Sequence, residues 1–503
     1  MAFCLSVRER EGVYMERKVL RMKVGIIGGG LGGLSCAISL AHKGYDVHLF
    51  EKNSTLGGKM RPVTLGDYYF DFGPNTITMP YVFKQVLEQT GVKAEDYFNF
   101  VEVQPHMKNV GMNGETFYLS NDRAFMISQL EQLDPYGAKN YPAFITEISR
   151  LYFLSKKHFL NKAFTSTKEF ISPSLGRALL AVRPFETLEH FLKRYFKNPF
   201  ILQCFMRYAT YIGSSPYKTP ATFAMIAYLE LVEGVFYVPG GTASIAKGFE
   251  KRARELGVTL HTGCEVTKVN IEKGIAKHIQ LANGETFSSD TVVVNADVLY
   301  AVPSLLNDKQ SQKNTQENPS SSVFIMLAGL NKRISSLAHH NVFFSPNYKR
   351  EFEQIFEDKI YPDEPTIYIC NSSKTEKARS PQGDNLLILV NAPAGKTPPA
   401  DYEDFIIKQL KKFSIDLEHA IVEKQIITPQ TIEQDFYSFK GALYGGASND
   451  FKSAFFRPSN KSSMASNLYF VGGSTHPGGG SPLVTLGGIH VANAIDTAHN
   501  KTP

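Results

Sequence analysis

Gly28, Gly30 and Gly33 stand in G-x-G-x-x-G spacing, and a carboxylate, Glu51, closes the next apolar run. Together these residue types could hold a dinucleotide. Gly28 permits a tight turn, Gly30 lets backbone approach a pyrophosphate, and Gly33 lets a helix lie close on a strand. Gly29, Leu31 and Gly32 complete the turn, whose N–H groups and helix end would face the phosphates. Glu51, with Lys52 beside it, would accept the two ribose hydroxyls and repel a 2′-phosphate, which disfavours NADP. Glycine turns of this spacing also occur where no nucleotide binds, so the flanking elements decide. Residues 24–27 read as a short apolar strand. A helix is expected over about 31–43, with Leu34, Ala37, Ile38 and Ala41 on one face and Gly44 as its C-cap. Residues 46–51 read as a second strand. Strand, helix and strand make one βαβ unit and predict an α/β fold with a parallel, Rossmann-like sheet.

Further along, Gly57, Gly58 and Lys59 follow Glu51 closely, and Asp71-Phe72-Gly73-Pro74 comes soon after. Residues 25–60 resemble the extended signature of flavoproteins, in which the Gly-Gly-Lys piece lies against the diphosphate and ribityl chain of FAD. That resemblance also places Val266 at the adenine and brings Asn295 and Ala296 back to the cofactor. Near the C-terminus, NLYFVGGSTHPGGGSPLVTLGG reads as strand, glycine loop and helix, with Pro482 preorganising the helix start. Gly472, Gly473 and the helix end would point N–H groups at a flavin ring and stabilise its reduced, anionic form; a closing loop without electronic role is the plainer alternative. His476 in this loop is a candidate general base. Its competing role is a hydrogen bond to backbone or flavin. Spacing shows no acid/base pair, nucleophile triad or metal-ligand cluster elsewhere, so no metal is expected.

The elements that must position these residues run the length of the chain. At 503 residues, two or three domains are expected. An FAD-binding domain assembled from residues 22–110, 235–300 and 446–503 is predicted, with an α+β substrate domain inserted as residues 111–234 and 301–445. Residues 1–21 are a charged extension without a signal peptide's apolar stretch, and Met22 is a candidate natural start. The pattern over about 117–231 is helical and aromatic-rich. Residues 257–296 alternate like strands, with Asn283-Gly284 as a hairpin turn, and 307–322 read as an exposed connection. Five scattered cysteines suggest neither a disulfide framework nor zinc. No apolar run is long enough to span a bilayer. The net charge of +6 is concentrated: residues 150–207 hold eleven Lys or Arg against three Glu, among many Phe and Tyr.

Three stretches carry a wider resemblance: DFGPNTITMP (71–80), FYVPGGTASIAKGFEKRARELGVTLHTG (236–263) and VGGSTHPGGGSPLVTLGG (471–488). They resemble the carotenoid phytoene desaturase family over nearly the whole chain from Met22. YIGSSPYKTPA (211–221), LAHHNVFFS (337–345) and DEPTIYICNSSKT (363–375) are most similar to its C30 branch. The resemblance implies FAD and oxidation of a terminal methyl group of a C30 carotenoid to an aldehyde. Its alternative is desaturation of diapophytoene or phytoene. Outside this group stand an amine-oxidase-like enzyme, expected to show a polar, carboxylate-bearing pocket, and a non-catalytic carotenoid-binding flavoprotein. The N-terminal extension departs from the family pattern without touching a cofactor motif.

A C30 polyene is insoluble in water, so residues 150–207 suggest a cytoplasmic protein peripherally docked on a membrane, with apolar faces among headgroups and cations on anionic lipids. The competing reading is a helical domain whose aromatics form its own core. Nucleic acid is a poor explanation of that charge, because no recognition motif accompanies it. No separate NAD(P) site is visible, which makes O2 or a quinone the expected electron acceptor. With no Trp in the chain, Phe, Tyr, Leu and Met would line the substrate tunnel.

Overall fold

In a computed structural model of the chain, residues 21–165, 173–308 and 318–500 are described. The expected extension, apart from residue 21, and most of the expected 307–322 connection lie outside the described residues.

The first βαβ unit forms as its pattern predicts: strand Lys23–Ile27, helix Leu31–His42 and strand Asp46–Glu51. Four of the five residues in Lys23–Ile27 are buried, as befits the middle strand of a parallel sheet covered on both faces. Strand order is Leu468–Phe470, Thr291–Val294, Lys23–Ile27, Asp46–Glu51, Thr259–Thr262, all parallel. These strands come from three separated stretches of chain. One face of the sheet carries Leu31–His42 packed on the long C-terminal helix Ser481–His499. That contact depends on a missing side chain, since a Cβ at Gly488 would collide with Ser35 Oγ and the Gly32 carbonyl. Ser35 Oγ instead donates to the Thr485 carbonyl at 2.8 Å. An antiparallel trio, Val266–Glu272, Ile275–Leu281 and Thr286–Ser288, shares a second core with Ile27, Phe50, Val292 and Val294. Its second hairpin turns at Asn283-Gly284.

A seven-stranded sheet forms the other half: Ile421–Ile427, Ser322–Leu330, Asn385–Ala392, Ile367–Asn371, His340–Phe343, Met107–Val110 and Thr116–Leu119. Every residue of Ser322–Leu330 is buried, because one face packs on Tyr402, Ile406 and Leu410 and the other on Tyr68, Phe70 and Phe72. Met107–Val110 pairs with His340–Phe343 and Thr116–Leu119. Through it, residues before the expected 110 boundary join the larger sheet.

The helical part is built on Pro135–Ser155, which turns Tyr141, Phe144, Ile148, Leu151 and Tyr152 inward at helical spacing. Phe191, Phe196, Phe200 and Phe205 close that core. Most of the segment's described aromatics therefore pack against one another. Phe153 (56 %), Leu180 (67 %) and Phe185 (74 %) remain exposed. Among the described residues no helix is long and apolar enough to cross a membrane.

Candidate cofactor and substrate site

A cavity of about 580 Å³ begins at the carboxyl ends of the parallel strands and runs to the seven-stranded sheet and the helical part. Its first wall follows from the sheet. Gly28 comes after Ile27, Glu51 ends its strand, Asn295 to Asp297 follow Val294, and Gly472 follows the last strand. Loops beyond the carboxyl ends of parallel strands are where such sheets bind ligands.

Backbone dominates this wall. Gly28 has φ +100°, and a Cβ there would collide with the Asn295 carbonyl. At Gly33 a Cβ would strike the Gly28 carbonyl. Asn295 Nδ2 donates to the Gly28 carbonyl at 3.0 Å and fixes the turn from the neighbouring strand. The helix Leu31–His42 has Gly30 as N-cap with no side-chain bond to its first N–H groups. The helix Ser481–His499 likewise starts at an uncapped Gly480. Asp122, Asp134 and Asn198 cap other helices with their side chains. Two helix starts at the cavity thus keep N–H groups available for an anion.

Glu51 is buried and pinned: Oε2 accepts from Gly29 N at 2.8 Å, and Oε1 from the backbone and side-chain nitrogens of Asn53, both at 2.9 Å. Gly28, Gly30, Leu31, Gly32, Glu51, Lys52, Gly58, Lys59, Val266, Ala296, Gly472, Gly473 and Pro482 all line the cavity. Gly29 and Gly33 stand behind them, holding Glu51 and the helix in place.

Lys52, Lys59 and Arg457 on this wall have no carboxylate within 4 Å among the described residues. Lys59 Nζ reaches only the Leu443 carbonyl, at 3.3 Å, and burial pushes its ammonium down to about 8. Arg457 donates to the Tyr444 and Gly473 carbonyls and to Ser448 Oγ, and burial lowers it to about 10. Half-buried cations without a counter-ion are costly unless an anion joins them. Asp297 is the nearest compensating charge for Lys59 and Arg457, but it accepts from the Leu299 and Phe439 N–H groups.

His476 is absent from the cavity wall. Its Nε2 lies 2.7 Å from the Phe159 carbonyl and 3.1 Å from that of Lys162, so the neutral ring carries its proton there. Burial drives its pKa down to about 3. This geometry is that of a loop histidine bonded to backbone.

The second wall is side chain. Phe223, Met225, Ile226, Val323, Ile325 and Leu389 make most of it, with Arg207, Tyr211, Tyr348 and Tyr368 among them. Spacing alone gave no signal for this polar group. Arg207 stands among the cations counted in residues 150–207, yet it is only 6 % exposed and pairs with Glu230 at 3.4 Å. Arg150 and Arg183 are likewise taken by Glu147, Lys193 by Glu189 and Arg194 by Glu186. The fold also gathers His339, His340 and Cys370, whose potential ligand atoms lie within 4.8 Å of one another. There Nδ1 of His339 and His340 meets Thr375 and Tyr368, and burial pushes the Cys370 thiol up to about 12.

The family pattern of flavin containing amine oxidoreductases matches residues 31–496. The chain belongs to that family and is an FAD-dependent oxidoreductase. Over 491 residues it is 32% identical to the 4,4′-diaponeurosporene oxygenase of Staphylococcus haemolyticus, covering 95% of this chain and 98% of that one. With the 4,4′-diapolycopene oxygenase of a Methylomonas species it shares 34% over 487 residues, 94% of this chain and 98% of the relative. A putrescine oxidase variant superposes with a TM-score of 0.64 at 13% identity, over 95% of this chain and 99% of that one, which shows the shared fold. The names of the two oxygenases agree with the carotenoid-modifying oxidoreductase that the family resemblance implies.

Proposed function

We propose that the chain is a carotenoid oxygenase that converts a terminal methyl group of a C30 carotenoid, such as 4,4′-diaponeurosporene, to an aldehyde. The observation that carries this reading is one cavity joining an anion-seeking backbone wall to an apolar one. Carboxylates line it at Glu51, Glu265, Asp297 and Asp435, three of them at or beyond the ends of the strands Asp46–Glu51, Thr259–Thr262 and Thr291–Val294 and the fourth on the helix Pro429–Phe436. The apolar wall has none, which fits a polyene and not the charged nitrogen of an amine.

The residues present fit FAD. Gly28 to Gly33 and the start of Leu31–His42 would hold the pyrophosphate, and Glu51 the ribose. Lys52 and Val266 would flank the adenosine half. Gly58, Lys59 and Ala296 would follow the cofactor towards Gly472, Gly473 and Pro482 at the flavin ring, and Arg457 would add its charge. FAD, when bound, supplies the redox chemistry by taking electrons from the substrate. The chain's own part is to keep water from the reacting carbon and to hold the polyene's end against the glycine loop. A methyl-to-aldehyde conversion needs an oxygen atom as well as an electron acceptor; O2 would serve both needs, a quinone only the second.

Peripheral membrane docking belongs to the same proposal. Tyr152 and Leu160 line the cavity, while Phe153 on the same helix is exposed. Lys157 carries no ion pair among the described residues, and Lys156 donates only to the Tyr81 hydroxyl. These cations, with Phe153, Leu180 and Phe185, would meet an anionic lipid surface and shorten the polyene's route.

Expressing the chain in cells that make 4,4′-diaponeurosporene, then in cells that make 4,4′-diapophytoene, tests the reaction. A new terminal aldehyde in the first supports the proposal. Added double bonds in the second would assign a desaturase, and unchanged pigment in both would overturn the carotenoid reading.

A further inference from the structure

Arg207 is an odd residue for the wall of a polyene tunnel. Its guanidinium has five N–H groups. Nη2 lies 3.4 Å from Glu230 Oε2 and Nη1 donates to the Tyr211 hydroxyl at 3.2 Å. Nε is buried with no partner. Tyr208 and Tyr211 stack against the cation at 5.4 and 5.2 Å. Glu230 is fully buried and held by Arg207 and the Tyr211 hydroxyl, and His106 Nε2 lies 3.4 Å from its Oε2. Burial works against the Glu230 charge, but Arg207 and His106 outweigh it and bring the carboxyl down to about 2. Burial also opposes the Arg207 charge, and Tyr211 and Glu230 more than restore it. The pair is thus ionised, and the cation keeps donor capacity that its shared carboxylate does not use.

A hydrocarbon offers nothing to such a group. Laid against Arg207, a purely hydrocarbon chain end would strip water from the cation and return no acceptor, which is unfavourable. A carbonyl or hydroxyl oxygen on the chain end would accept from the guanidinium, whose position Tyr211 and Glu230 fix. Sites built to bond a polar substrate group discriminate strongly against analogues that lack it.

We propose that Arg207, held by Glu230 and Tyr211, seats an oxygen atom at one end of the polyene, so that the cavity prefers a carotenoid already bearing a terminal carbonyl or hydroxyl group over the hydrocarbon. This rests on the carotenoid reading above and adds the recognition that reading lacks.

The test compares turnover of 4,4′-diaponeurosporene and its mono-aldehyde by FAD-loaded protein in liposomes. The expected wild-type preference is about tenfold or more in kcat/KM for the aldehyde. Arg207→Lys keeps a charge against Glu230 but loses the planar fork, and the preference should fall several-fold. Arg207→Met with Glu230→Gln removes both charges together and should abolish it, with flavin absorbance reporting that the protein still folds. Tyr211→Phe should weaken it less. A wild type without preference overturns the seat, as do variants that slow both pigments equally. If neither pigment is converted by FAD-loaded protein, the carotenoid reading has failed and the seat fails with it.

Discussion

Where the cavity meets the parallel sheet its wall is mostly backbone, and where it meets the antiparallel sheet and the helical part its wall is side chain. The first wall is held by close approaches that leave no room for a Cβ, by two uncapped helix starts, and by one pinned carboxylate. The second combines apolar side chains with a buried polar group centred on Arg207 and Glu230. Backbone geometry of the first wall would recognise the diphosphate and ribose that every FAD carries. Side chains choose what is oxidised, and they can change while the first wall stays put. One fold can therefore serve a putrescine oxidase and a carotenoid oxygenase.

This difference can be broken most sharply at the glycine turn. Gly33→Val should cost the cofactor entirely and lower soluble yield, because the side chain would fall inside the Gly28 carbonyl; flavin absorbance of the purified protein reads it out. Lys59→Met should separate binding from stability. FAD affinity is expected to fall about 100-fold, while the cofactor-free protein gains a few °C in Tm because a half-buried cation without a counter-ion has gone. Isothermal titration and thermal unfolding measure the two effects. Glu51→Ala should weaken FAD binding by about 10- to 100-fold, since bonds to a charged group contribute about 1.5–3 kcal/mol.

Behind the second wall the effects are smaller and more selective. Glu351 is buried, accepts from Thr366 N and Oγ1 at 3.1 and 2.6 Å, and is raised to about 7, first by burial. A folded pKa above the unfolded value means stability present at low pH and lost as pH rises through about 7. Glu351→Gln should therefore gain about 2–3 kcal/mol over wild type at pH 8–9 and little at pH 5, seen in urea unfolding at each pH. The smallest change is at the exposed patch. Replacing Phe153, Leu180 and Phe185 with Ser should reduce flotation with anionic liposomes several-fold and leave FAD content alone; equal flotation would remove the docking proposal.

Legibility in the sequence followed the same division. The glycine turn, its helix and Glu51 lie within thirty residues, and each acts through local geometry, so residue type and spacing sufficed. Asn283-Gly284 was readable for the same reason. The second wall depends on distant partners. His106, Arg207 and Glu230 are scattered over more than a hundred residues and meet only because Met107–Val110 pairs with His340–Phe343 beside the helical core. Charge counting then misleads. Lys193, Arg194 and Arg207 look like one lipid-facing set with Lys156 and Lys157, but Glu189, Glu186 and Glu230 neutralise them. Arg457 had no motif at all, and it stands out only as a half-buried cation without a carboxylate beside it.

The most direct test of the account supplies purified, FAD-loaded protein with 4,4′-diaponeurosporene in liposomes under O2, and with putrescine in parallel. The account predicts a terminal aldehyde from the carotenoid and no oxidation of the amine. Oxidation of putrescine with the pigment left unchanged would contradict it.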